Sequence, residues 1–110
     1  MPNFDLTREG FESLLATEVA ALDPEAQAIL TRYAVPAFRT AHEFAGKSGR
    51  AATAVWVVAK SGDIVLGYDE VEAEFGIGTF DAAGLVTHWG TFGERLRWSL
   101  IRFPDSPQFA

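Results

Sequence analysis

The chain has 110 residues, of which 48% are hydrophobic, and it contains nine Phe and three Trp. This composition excludes intrinsic disorder and suits one folded domain spanning residues 1–110. The absence of Cys excludes disulfides, thiolate metal sites and cysteine nucleophiles. The net charge of −6 argues against direct binding of nucleic acid, which needs a cationic protein surface.

The first half of the chain has the hydrophobic period of helices. Apolar residues at helical spacing predict a first helix over residues 6–22. Asp23-Pro24-Glu25 then supplies an N-cap, a proline at N1 and an acid in the first turn, which predicts a second helix. The apolar stripe of that helix keeps its phase through Pro36, so we expect a bend near Arg32 or a break into two pieces, and an end at Gly46.

The second half changes to the pattern of strands. Ala54–Lys60 is apolar on both faces, which predicts a central strand. Ser61-Gly62 predicts a hairpin turn into a strand over Ile64–Tyr68. Asp81–Gly84 has the composition of a turn, and Leu85–Trp89 is predicted to be the last strand.

A helix is predicted to close the chain. Thr91 with Glu94 three residues later has the pattern of a capping box, and Pro104 would end the helix. The predicted fold class is therefore α+β, with two N-terminal helices, an antiparallel meander of three or four strands and a C-terminal helix.

Residues 67–78, GYDEVEAEFGIG, contain the most unusual charge pattern of the chain. Glu70, Glu72 and Glu74 alternate with apolar residues, so a strand would place the three carboxylates on one face. No Lys or Arg occurs from Asp63 to Asp81. Two interpretations are open: a solvated strand face that resists pairing with other sheets, or a docking strip for a cationic protein.

The docking interpretation predicts a defined set of contacts with a partner. The electrostatic contacts would be five carboxylates: Asp69, Glu70, Glu72, Glu74 and Asp81. An aromatic side chain at the rim of the acidic face would add the rigid apolar anchor of a tight interface. The candidates for this anchor are Tyr68, Phe80 and Trp89.

The sequence offers little support for catalysis, metal binding or a cofactor. His42 and His88 are the only histidines, and neither an HExxH nor a GxSxG motif is present. Gly76-Ile77-Gly78 begins like a dinucleotide fingerprint, but Asp81 replaces the third glycine. We interpret these glycines as allowing a strand to bend or another chain to approach closely. We therefore expect a protein without enzymatic activity, metal or cofactor.

Three stretches of the second half together resemble a known class of protein. YDEVEAEFGIG, the turn DAAG and WGTFGERLRWSL are similar to small bacterial immunity proteins of contact-dependent inhibition and polymorphic toxin systems. The resemblance covers about residues 54–102 and carries over no catalytic residues. It implies a cytoplasmic inhibitor that binds a cognate toxin domain, often a nuclease, and blocks its active site or substrate surface. A toxin that acts on nucleic acid tends to be basic, which suits an acidic partner.

Two other functions remain open at this point. A small ligand-binding or hydrolytic α+β domain would have a cavity between helices and sheet, lined by His88 and Asp69. A homodimer would assemble through the Ala54–Lys60 region, and we expect a monomer or weak homodimer. The sequence shows neither the basic and apolar regions of a leader nor an apolar run of about 18 residues. We therefore expect a cytoplasmic protein that does not bind membranes.

Overall fold

The computed structural model describes residues 6–42, 53–70 and 72–104. Within them the chain forms three helices and five strands. In chain order these are α1 (Arg8–Ala20), α2 (Pro24–Tyr33), β1 (Ala34–His42), β2 (Thr53–Ser61), β3 (Ile64–Asp69), β4 (Glu74–Phe80), β5 (Val86–Gly93) and α3 (Leu96–Leu100). The predicted α+β class is confirmed, and the sheet has one strand more than the largest number expected.

The five strands form a meander that closes into a barrel in the order β1-β2-β3-β4-β5. Consecutive strands pair antiparallel. The closing contact between β1 and β5 is parallel and pairs His42 with Val86. It is parallel because an odd number of alternating strands leaves the first and the last running in the same direction.

The helical prediction for residues 34–42 is wrong, because this segment is β1. Pro36 is the physical reason. Its ring disfavours the helical conformation of the preceding residue, and its nitrogen cannot donate a helical hydrogen bond. A strand tolerates the proline at an irregularity, and the pairing of β1 with β2 shifts register between Ala34 and Phe38. The expected end at Gly46 lies outside the described residues.

The capping-box prediction at Thr91 is also wrong, because β5 continues to Gly93 and α3 begins only at Leu96. The acid that caps α3 comes from another helix. The Leu96 amide donates to Glu18 Oε1 at 3.1 Å, which satisfies an amide that a helix start leaves unpaired. Thus α1 supplies the cap that the sequence assigned to Glu94.

The starts of α1 and α2 follow local sequence. Thr7 caps α1, since its Oγ1 accepts from the Gly10 amide at 2.9 Å. The α2 helix begins at Pro24 as predicted. Arg97 hydrogen-bonds the Asp23 carboxylate and thereby holds its pKa below the ordinary value of 3.8. Among the helices that the structure describes, none is long and apolar enough to cross a membrane.

The side chains of the sheet form two separate cores. The outer face of the barrel packs against the helices, with Phe11, Trp56 and Leu66 among its buried residues. The second cluster lies inside the barrel and is formed mainly by valines: Val55, Val57, Val65 and Val86. Residues of β2 alternate between the two clusters and are buried on both faces, which confirms the predicted central strand.

Gly76 and Gly78 make room inside the barrel for the Trp89 ring. A Cβ at Gly76 would collide with the Gly90 carbonyl oxygen and lie 2.8 Å from the Trp89 ring, and one at Gly78 would lie 3.0 Å from the same ring. The two glycines thus allow β5 and its tryptophan to approach β4 closely. This agrees with the structural interpretation of the Gly-x-Gly motif.

Replacement of Gly76 by alanine is expected to destabilise the protein by about 3 kcal/mol, because neither the β5 backbone nor the Trp89 ring can move away cheaply. Gly84→Ala is the matched control. Gly84 has φ 85° but open space around it, so only backbone strain of about 1 kcal/mol is expected. Urea unfolding measures both values, and equal losses would contradict the close approach at Gly76.

Candidate functional site

The acidic segment is a turn between two strands, so the prediction of three carboxylates on one strand face is wrong. Strand β3 ends at Asp69, and β4 begins at Glu74. Asp69 organises the turn, because its Oδ1 accepts from the Glu72 amide at 3.0 Å and its carbonyl accepts from the Ala73 amide at 2.7 Å. Ala73 has φ 59°, which a strand does not allow.

Glu70 points into the protein, and its side chain is only 1% exposed. Arg39 donates to both carboxylate oxygens, from Nε at 3.2 Å and from Nη2 at 2.9 Å. Trp56 Nε1 donates to Oε1 at 2.9 Å. The counter-charge that the 63–81 segment lacks therefore comes from β1. Glu70 holds the fold together and is not placed to contact a partner.

Tyr68 and Trp89 also lie inside the molecule, so neither is the exposed rim anchor that the sequence suggested. Tyr68 packs among aromatic rings of the outer core, 5.9 Å from the Phe11 centroid and 4.9 Å from that of Phe75. Trp89 packs with the valine cluster inside the barrel. Phe80 is half-buried and packs against that same cluster.

Asp81 lies at the other end of the barrel from Glu74, because β4 separates them by about 20 Å. Its Oδ1 accepts from the Ala83 and Leu85 amides, each at 2.9 Å. These bonds build the predicted Asp81–Gly84 turn, where Asp81 itself is exposed. Asp81 therefore does not share a surface with the other predicted contacts.

Three carboxylates that are exposed or half-buried remain at the end of the barrel where β3 meets β4, and we call them the acidic end: Glu72, Glu74 and Glu94. Glu74 pairs across the strands with Asp69. Glu94 joins them because Gly93, the residue before it, pairs with Phe75. None of the three forms an ion pair with the residues that the structure describes. Like charges on facing strands destabilise a sheet, so the carboxylates at this end lower the stability of the folded protein.

The Tyr68 hydroxyl lies near several carboxylates, of which Glu94 belongs to the acidic end. Its pKa is raised above the ordinary value of 10.0, first by burial and then by nearby negative charge. The contributing carboxylates are Asp69, Glu18, Glu70 and Glu94. The pKa of this one hydroxyl is therefore raised by carboxylates from α1, from the β3–β4 turn and from the segment after β5.

Every Lys and Arg that the structure describes has an internal partner, in contrast to the acidic end. Four stack on aromatic rings: Arg8 on Trp56, Arg32 on Tyr33, Lys60 on Phe80 and Arg102 on Phe92. Four pair with carboxylates: Arg8 with Glu12, Arg39 with Glu70, Arg95 with Glu18 and Arg97 with Asp23. The described residues include twelve Asp and Glu but only seven Lys and Arg, so the net charge of this part of the chain is negative.

The residues named for a hydrolytic or ligand-binding site do not come together. His88 lies on β5 beside the Thr79 end of β4, whereas Asp69 pairs with Glu74 at its start, about 15 Å away along the strand. His88 is exposed with φ 48°, and its Nδ1 lies 3.4 Å from Thr87 Oγ1. Within residues 6–42, 53–70 and 72–104 no three metal-ligating side chains cluster. His42 belongs to β1 and not to a helix.

The Ala54–Lys60 region cannot serve as a dimer interface. Strand β2 has β1 on one edge and β3 on the other, and residues 55–59 are buried on both faces. The homodimer hypothesis based on this region is therefore wrong.

The structure adds one surface feature that the sequence analysis missed. Trp98 and Ile101 on the outer side of α3 are 45% and 44% exposed. Leu96 and Leu100, on the other side of α3, are fully buried. The spacing of three residues between Trp98 and Ile101 was the sequence signal for a shared helical surface.

A search of protein-family models, of curated proteins and of solved structures finds no match for this chain. Any functional conclusion therefore depends on the surface described above.

Glu70→Ala is expected to lower the free energy of unfolding by about 3 kcal/mol, because it leaves Trp56 Nε1 buried without its acceptor and Arg39 without its carboxylate. This value is at the low end for a broken buried pair, since the Arg39 side chain is 45% exposed and regains water. Glu72→Ala in the same turn is the control and should change stability by less than about 0.5 kcal/mol. Equal effects in urea unfolding would refute a structural role for Glu70.

Glu94→Gln is expected to lower the pKa of Tyr68 by removing one of the negative charges that raise it. A Tyr33→Phe background leaves Tyr68 as the only tyrosine, so tyrosinate absorbance against pH reports it alone. Because the folded state holds this proton more tightly than the unfolded state, stability should fall as pH rises above 10.0. Asp63→Asn, in the distant hairpin turn, should leave the titration unchanged.

Proposed function

We propose that this protein is a non-enzymatic inhibitor of the immunity-protein type, which binds a basic toxin domain through the acidic end. The observation that carries the proposal is the imbalance of charge partners. Every described Lys and Arg has an intramolecular ion-pair or cation–π partner, whereas Glu72, Glu74 and Glu94 form no ion pair with a described residue. Natural proteins keep such uncompensated charge where function needs it.

The chemistry of the proposed partner follows from this charge. Three carboxylates close together at one end attract a cationic surface, raise the rate of encounter and make binding weaken with salt. A nuclease toxin presents cationic side chains that normally contact phosphates. The carboxylates of the acidic end form ion pairs with those cationic side chains, so the nucleic acid cannot bind to them.

The contact set differs from the one predicted from the sequence. Glu72 and Glu74 are retained, and Glu94 is added because β5 brings it to the same end. Glu70 is buried and stabilises the turn through its ion pair with Arg39. Asp69 adds to the potential but is itself buried. The proposal places the protein in the cytoplasm, where a cell neutralises a toxin directed at its own nucleic acid, and requires no cofactor or metal.

Charge reversal of the acidic end tests this proposal. The combined variant Glu72→Lys, Glu74→Lys, Glu94→Lys should fold but lose binding to the basic domain encoded by a neighbouring reading frame, by at least about 100-fold at low salt. Isothermal titration with the purified basic domain and co-expression survival are the measurements. Glu70 stays unchanged, since its reversal would unfold the turn.

A single-site pair provides the matched control. Glu72→Lys and Asp63→Lys each reverse one exposed carboxylate in a turn, at opposite ends of the barrel. Glu72→Lys should weaken binding and flatten its salt dependence, whereas Asp63→Lys should change neither. The proposal fails if the triple variant binds and protects as well as the unaltered protein.

A further inference from the structure

We infer that Trp98 and Glu94 together form a receptor for an arginine side chain of the basic partner. This inference rests on the proposed function and adds to it the chemical group that is recognised. It also extends the docking surface from the acidic end onto α3.

Trp98 is exposed but held in place. Its ring lies against Gly93, where an added Cβ would approach Cζ3 to 2.6 Å. Gly93 has φ 113°, a conformation that favours glycine and permits this close approach. Gly93 meets the edge of the ring near Cε3 and Cζ3, which limits its movement, and Trp98 as a whole remains 45% exposed. Such a fixed aromatic surface loses little entropy on binding.

The backbone places Glu94 and Glu74 close to Gly93, which adjoins this ring. Glu94 directly follows the glycine on which Trp98 packs, and Glu74 precedes Phe75, the strand partner of Gly93. An aromatic face next to a carboxylate is the environment that a guanidinium prefers. The planar group stacks on the ring while its N–H groups donate to the carboxylate oxygens.

Within residues 6–42, 53–70 and 72–104, the cation–π contacts involve rings other than Trp98. Internal cations cover the Trp56, Tyr33, Phe80 and Phe92 rings. No cation covers Trp98 among the residues that the structure describes. The arginines close to Trp98 in the chain have other partners: Arg95 binds Glu18, Arg97 binds Asp23, and Arg102 lies over the Phe92 ring and donates to the Trp98 carbonyl.

The charge of the chain favours a basic partner over a second copy of itself. Two copies that met at this surface would bring together two acidic ends on molecules of net charge −6. Ile101, three residues from Trp98 and 44% exposed, adds apolar area without changing this electrostatic preference.

The test is a titration of the full chain with two synthetic peptides, one alternating arginine and glycine and the other alternating lysine and glycine. The Trp98 indole N–H resonance, assigned by its loss in Trp98→Phe, reports contact in the unaltered protein, and isothermal titration measures the affinity of every variant for each peptide. The arginine peptide should shift this resonance and bind about 2- to 5-fold more tightly than the lysine peptide. Trp98→Ala should abolish the preference, and Trp98→Phe should retain part of it. Glu94→Gln should weaken both peptides.

The variants separate this inference from the proposed function. If Trp98→Ala binds the arginine peptide as tightly as the unaltered protein, the receptor is refuted. The proposed function still holds in that case if the lysine substitutions at the acidic end abolish binding of the basic domain. If wild-type mass rises with concentration in sedimentation and Trp98→Ala abolishes the rise, the occupant is a second copy and the inference is overturned. Urea unfolding of each variant establishes that it is folded.

Discussion

The buried carboxylate of Glu70 is the interaction on which the arrangement of this protein depends. It binds Arg39 of β1 and Trp56 of β2 from the turn that follows β3. Trp56 in turn stacks on Phe11 of α1, with centroids 4.9 Å apart. One acid therefore joins three parts of the barrel to the helical layer. Because the Glu70 charge is paired inside the protein, the turn is fixed in place with Glu72 exposed to solvent.

The sequence predicted what depends on local pattern. Central strand β2, the start of α2 at Pro24 and the turn at Asp81 follow from nearby residues, and all three are present. The errors arose where a distant partner decides the outcome. Residues around Pro36 have helical spacing of apolar side chains, but they form a strand because they pair with β2. Residues around Glu70 have the alternation of a strand, but they form a turn in which Glu70 binds Arg39, 31 residues earlier in the chain.

The candidate site was predictable only in part, for the same reason. Glu72 and Glu74 were recognisable from the run of acids, and they are exposed and half-buried, respectively. No local pattern showed that Glu94 lies beside them, because the pairing of β5 with β4 determines this. Sequence proximity was equally misleading for Asp81, which belongs to the far turn. The distribution of charge among partners emerges only from the fold, since ion pairs and cation–π contacts join segments that are far apart in the chain.

The odd number of strands in the barrel has a topological consequence. Each strand of a meander carries the chain from one end of the barrel to the other, so a chain that enters β1 at one end leaves β5 at the opposite end. Five crossings therefore deliver α3 to the end where β3 turns into β4. With four strands the same helix would emerge beside the hairpin of Gly62 and Asp63. The odd number of strands thus places α3 and Trp98 at the same end of the barrel as Glu72 and Glu74, which lie far from α3 in the sequence.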